Sequence, residues 1–101
     1  NMPCSIEAID IFLENDIMFG PAQAVNAGGV ACSSLEMAQN SQRLSWTVEQ
    51  VDEQLQQIMK TIYSNCKRAS NKYDHPGNLV VGANIAGFTK VADTMIEQGV
   101  I

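Results

Sequence analysis

One short stretch of the chain combines residue types that could bind a ligand: two adjacent glycines, Gly28 and Gly29, followed by Val30 and Ser33. Two glycines in the first turn of a helix cost about 1 kcal/mol each relative to alanine, and the usual compensation is that something approaches the backbone closely. Another helix and a ligand are both consistent with this. Helical spacing places Ser33 one turn after Val30, on the side that the glycines open, although most helix serines have no binding role.

A second glycine motif, residues 82–87, has two glycines five positions apart, as at the start of a phosphate-binding loop. Phe88 and Thr89 stand where that loop has lysine and serine or threonine, and the motif lies inside a helical pattern. We therefore interpret its small residues as allowing two helices to pack closely. The sequence contains no G-x-G-x-x-G dinucleotide fingerprint.

Metal, disulfide and nucleic-acid chemistry find little support in the sequence. Cys4, Cys32 and Cys66 are odd in number and widely spaced, and His75 is the single histidine, so we expect no metal site and a reducing, cytoplasmic environment. The formal charge is −5, with the basic residues scattered, which excludes a nucleic-acid partner of the usual kind. No apolar run approaches the roughly 20 residues that cross a bilayer, so we expect no membrane partner.

The elements that would position these residues are mainly helices. Ser5 is a good N-cap for a helix ending near Asn15, and the apolar run Ile17–Phe19 predicts one short strand of a sheet whose other strands lie outside this sequence. A longer helix is predicted from about Asn26 to near Leu44. The chain begins without an initiator methionine, which suggests a fragment.

Two further helices follow, each with an apolar face. Thr47 and Gln50 form a capping box for a helix that ends near Lys72, and a loop at 74–77 leads to a last helix over 78–97. The inner face of the last helix is predicted to hold Val81, Ile85, Phe88, Ala92 and Met95. The fold class predicted is a mainly α fragment, about four helices and one short strand, of an α/β enzyme. Apolar faces this long should remain partly uncovered within the chain.

The motifs taken together resemble the C-terminal part of glutamate dehydrogenases of the hexameric, NADP-type family. The resemblance rests on residues 26–33 (NAGGVACS), residues 82–88 (GANIAGF) and the ending 98–101 (QGVI). Asn1-Met2-Pro3 is similar to the family's Ala-Asn-x-Pro-Thr segment, with Cys4 where threonine is usual. The resemblance covers the whole chain.

The resemblance implies oxidation of glutamate to 2-oxoglutarate and ammonium, and the reverse, with NADP or NAD as cofactor. It implies a Rossmann-type dinucleotide-binding domain that ends at residues 1–25, C-terminal helices at 26–101 that cross back to a substrate domain, and a homo-hexamer. The family's reactive lysine and its aspartate belong to the substrate domain, which this sequence does not include. No catalytic residue is therefore expected here, and the chain alone should be inactive.

Four site residues carry over from the resemblance. Ser33 matches the serine that hydrogen-bonds the substrate's side-chain carboxylate, and Val30 matches the apolar wall of that pocket. Asn26 and Asn1 match asparagines that contact the nicotinamide end of the cofactor. An alternative from another functional class stays open: a non-catalytic helical module for interaction or oligomerisation, whose apolar faces would bind a partner.

Overall fold

The computed structural model describes residues 1–100, and in that range every regular element is an α-helix. The helices are α1 Ile6–Glu14, α2 Ala22–Val25, α3 Ala27–Gln42, α4 Val48–Lys72 and α5 Leu79–Glu97. The sequence predicted four of the five and missed the single turn α2. Helix α4 packs against α5 and, less extensively, against α3.

Side-chain caps explain where three of these helices begin. The Ser5 hydroxyl accepts a hydrogen bond from the Ala8 amide at 3.2 Å, and the Asn78 Oδ1 accepts one from the Val81 amide at 3.1 Å. The capping box of α4 is confirmed, because the Gln50 amide donates to the Thr47 hydroxyl while the Thr47 amide donates to the Gln50 side chain. Each cap satisfies backbone N–H groups that a helix start otherwise leaves free.

The contact between α4 and α5 is built around a glycine. A Cβ added to Gly82 would overlap the carbonyl oxygen of Cys66, would lie 2.9 Å from its carbonyl carbon, and would lie 3.2 Å from the Ser70 Cβ. Cys66 and Ser70 are buried at this crossing, and Ser70 has no exposed surface. The interpretation of motif 82–87 as a close-packing segment is thus confirmed at Gly82. It is wrong at Gly87, where an added Cβ would meet nothing within 4 Å.

The inner face predicted for α5 is correct at four positions and wrong at one. Val81, Ile85, Ala92 and Met95 are half-buried, whereas Phe88 is 73% exposed. Helix α5 contacts α4 through Gly82, and Phe88 lies about 120° round the helix from Gly82, away from this contact. The predicted uncovered apolar surface is therefore present on α5.

The short strand predicted at Ile17–Phe19 is wrong, and within residues 1–100 the chain has no strand at all. A strand needs a neighbour for its backbone hydrogen bonds, and among the described residues no extended segment pairs with this one. Instead, Asp16 turns the chain with a positive φ of 54°, and the Phe19 ring stacks on Phe12 with 5.6 Å between centroids. The α/β, Rossmann-type description accordingly receives no support from this all-helical structure.

The expectation that no segment is long enough for a bilayer also needs correction. Helix α5 has 19 residues and a window of mean hydropathy 1.2, so by length and composition alone it could span a membrane. Lys90 and Asp93 interrupt the apolar run but do not lower the average enough to exclude it. One such helix is weak evidence for a membrane, since core helices of globular proteins meet the same criterion, and Gly82 ties this helix to α4.

Candidate functional site

A cleft of about 840 Å³ lies where the N-terminal segment, α2, the start of α3 and the first turns of α5 meet. Its walls are mostly apolar, and its polar groups are side-chain amides and one thiol. The lining residues include Asn1, Cys4, Gln23, Asn26, Val30 and Asn84. Apolar walls with a few converging polar groups are the usual composition of a small-molecule site.

The structure brings together three of the four residues that the sequence analysis selected. Asn1, Asn26 and Val30 all line the cleft, and the Asn26 Nδ2 donates to the Asn1 Oδ1 at 3.4 Å. Asn26 ends α2 and precedes α3, and its side chain makes no capping hydrogen bond at the start of α3. Its amide instead donates to Asn1 at the cleft. Val30 follows one turn later and is 72% exposed.

Ser33 is the fourth residue, and it does not line the cleft. It lies on the exposed surface of α3, where its hydroxyl donates a hydrogen bond to the carbonyl oxygen of Gly29 at 3.2 Å. A serine hydroxyl has a single proton to donate. Ser33 must therefore release Gly29 before it can donate to a ligand.

The two glycines that precede Val30 have different surroundings. A Cβ on Gly28 would lie 3.5 Å from the Met59 Sδ of α4, which is ordinary van der Waals contact. A Cβ on Gly29 would meet nothing within 4 Å. The close neighbour of Gly28 is thus another helix. Of the two glycines, only Gly29 leaves its backbone open to an approaching ligand.

Sequence reasoning missed two of the amide side chains that line the cleft, those of Gln23 and Asn84. The Gln23 Nε2 donates to the Asn84 Oδ1 at 2.8 Å, which joins α2 to α5 across 61 positions of sequence. Asn84 is the polar member of motif 82–87, and that isolated amide among small apolar residues was the available signal. Gln23 carried no signal, because α2 itself was not predicted.

No charged side chain is among the residues that line the cleft. Amide groups both donate and accept hydrogen bonds, so they suit an uncharged polar group such as a carboxamide. Phosphates or carboxylates of a ligand would need basic groups from elsewhere. Outside the cleft, burial raises the pKa of the Cys66 thiol. Within residues 1–100 no three potential metal ligands come together.

Comparison with known proteins defines the class. The chain belongs to the Glutamate/Leucine/Phenylalanine/Valine dehydrogenase family, whose model matches residues 1–99. Among its relatives, the NADP-specific glutamate dehydrogenase of Giardia intestinalis is 54% identical over all of this chain. The NAD-specific glutamate dehydrogenase of Bacteroides fragilis is 52% identical over the same length.

Solved structures agree with the sequence relatives. Glutamate dehydrogenase 2 of Plasmodium falciparum superposes on the whole chain with a TM-score of 0.93 at 52% identity. The chain spans 22% of that protein and 22% of the Giardia enzyme, and 23% of the Bacteroides enzyme. The resemblance to glutamate dehydrogenases is thereby confirmed, and it covers about a fifth of those proteins.

Proposed function

We propose that this chain forms part of a cytoplasmic glutamate dehydrogenase that interconverts glutamate with 2-oxoglutarate and ammonium, using NADP or NAD. The observation that carries the proposal is sequence identity above 50% to glutamate dehydrogenases over the whole chain. Relatives of both cofactor specificities match the chain about equally well, so the proposal includes either dinucleotide. The remainder of the enzyme chain and a homo-hexameric assembly complete the proposed protein.

The proposed division of labour gives residues 1–25 to the end of the dinucleotide-binding domain and residues 26–101 to helices that return to the substrate domain. Asn1 and Asn26 contact the nicotinamide end of the cofactor, and the uncharged amide lining of the cleft supports that role. Val30 forms an apolar wall, and Ser33 donates to the substrate's side-chain carboxylate. When bound, the nicotinamide would supply the hydride acceptor, and Asn1 and Asn26 would hold and orient its ring.

The chain alone should show no glutamate-dependent reduction of NADP or NAD. A lysine and an aspartate positioned at the reacting carbon are needed for proton transfer and orientation, and the lining of the cleft includes neither. Assay of the purified chain beside the proposed full-length enzyme tests this directly. Turnover by the chain above a protein-free blank would refute it. A reading frame that encodes only this chain would instead favour the helical interaction module.

The role of Ser33 can be tested in the full-length enzyme by Ser33→Ala. A hydrogen bond to a carboxylate contributes about 1.5–3 kcal/mol, and the bond to Gly29 that must be released offsets about 0.5–1.5 kcal/mol. At the middle of both ranges the net loss is about 1.25 kcal/mol, which corresponds to a roughly tenfold fall in kcat/KM for glutamate. The KM for the cofactor should stay nearly unchanged.

Ser41→Ala is the matched control, because Ser41 is another exposed serine of α3, two turns farther from the cleft. Its kinetics should equal those of the wild type. If Ser33→Ala also leaves kcat/KM for glutamate unchanged, Ser33 only fills a helix position. Alanine would then be neutral or slightly stabilising, since it is the better helix former.

A further inference from the structure

The polar contact between α2 and α5 lies at the wall of the cleft and joins residues far apart in sequence. Gln23 is the second residue of α2, one turn before Asn26, and its Nε2 lies 2.8 Å from the Asn84 Oδ1 of α5. Helix α2 is a single turn, and a helix this short has little stability of its own. Its orientation therefore depends on contacts with the rest of the chain.

Apolar contacts hold α2 against α4, but they do not fix the orientation of α2 at the cleft. Pro21 is buried, and Ala24 and Val25 line a small apolar hollow together with Met59 and Cys66 of α4. These contacts are non-directional, so they tolerate sliding or rotation of one turn of helix. The hydrogen bond from Gln23 to Asn84 joins two exposed side chains, but it is directional and lies on the same wall of the cleft as Asn26.

We propose that Gln23 and Asn84 act as a positioning pair that holds the corner between α2 and α3, and with it Asn26 and Val30, against α5. The inference rests on the proposed function, in which those two residues contact cofactor and substrate. Neither Gln23 nor Asn84 is assigned a contact with the reacting atoms. When the pair is broken, the corner occupies its binding position in only a fraction of the molecules. The apparent affinity for the cofactor is then reduced in proportion to that fraction.

The test uses Asn84→Leu and Gln23→Met in the full-length enzyme, since each removes one partner while keeping similar size. Both should raise the KM for cofactor about two- to tenfold with kcat little changed, as expected when only binding is weakened. Asn84→Asp keeps the acceptor for Gln23 and should restore most of the affinity. The double variant should be no worse than either single variant, because both lose the same bond.

The matched control is Asn65→Leu, which makes the same substitution on the exposed surface of α4, outside the cleft. It should leave the KM unchanged. Deuterium uptake by the backbone amides of residues 21–30 gives a readout that needs no substrate, and it should rise in Asn84→Leu and not in Asn65→Leu. Unchanged uptake and KM in Asn84→Leu would overturn the positioning pair. A wild-type enzyme without glutamate-dependent activity would overturn the proposed function, and the uptake experiment would still decide the pair.

Discussion

Substitution by alanine at two glycines of α5 should have opposite effects on the stability of the fold. Gly82 and Gly87 both lie in the interior of the helix, and alanine at either position gains about 1 kcal/mol of helix propensity. At Gly87 an added Cβ meets no atom within 4 Å, so that gain should be realised in full. At Gly82 the same Cβ overlaps the Cys66 backbone, which cannot move aside as a flexible side chain would.

The expected size of the difference follows from packing. Forcing an extra carbon into a well-packed contact typically costs about 1–3 kcal/mol, and the overlap with backbone in α4 favours the upper part of that range. After the gain in helix propensity, Gly82→Ala should be destabilised by about 1–2 kcal/mol, whereas Gly87→Ala should be stabilised by about 1 kcal/mol. For a chain of about this length, 1 kcal/mol shifts the melting temperature by roughly 4–8 °C.

Thermal unfolding of the two variants and the wild type, followed by far-ultraviolet circular dichroism, measures both effects. The order of melting temperatures should be Gly87→Ala above wild type, and wild type above Gly82→Ala. A Gly82→Ala variant as stable as Gly87→Ala would show that α4 and α5 do not cross closely at Cys66. Asn84 would then not be held at the wall of the cleft, since the contact of Gly82 with α4 sets the position of α5.

Two further predictions concern the thiols and the uncovered apolar surface. Exposed Cys32 should react with a thiol reagent before buried Cys66, whose pKa is raised by burial, and equal labelling rates would contradict this. Because the folded-state pKa of Cys66 lies above its ordinary value of 9.0, its contribution to stability is complete below pH 9.0 and declines as pH rises through the folded-state value. The isolated chain should self-associate, since Phe88 and Val91 are exposed, and sedimentation that shows a monomer at high concentration would refute it.

Helix boundaries were the most predictable part of this structure, because they depend on local groups. The capping residues Ser5 and Thr47 act on backbone amides within three positions, so their sequence context is sufficient to place a helix start. Helix α2 could not be predicted, because a single turn has no periodicity to read. The wrong strand at Ile17–Phe19 has the same origin, since three apolar residues are equally compatible with a strand and with an irregular segment packed through Phe19.

The candidate site was predictable to the extent that its residues lie close in sequence. Asn26 and Val30 fall in one motif, and their shared position on the cleft follows from helical spacing. The contact from Gln23 to Asn84 spans 61 positions and depends on how α5 crosses α4, which no local pattern encodes. The hydrogen bond from Ser33 to Gly29 is local, yet spacing alone does not tell whether a hydroxyl faces its own helix or a ligand.

The small amount of buried surface explains why the cleft depends on single contacts. The radius of gyration is 16.4 Å, whereas a compact domain of this length has about 13 Å. Few side chains are buried, so the corner that carries Asn26 is not held by a large core. Directional contacts such as the one between Gln23 and Asn84 therefore contribute a larger share of its positioning than they would in a compact domain. In the proposed full-length enzyme, other parts that cover the apolar surface of α5 would add to that positioning. Breaking the pair should therefore loosen the corner more in the isolated chain than in the proposed enzyme.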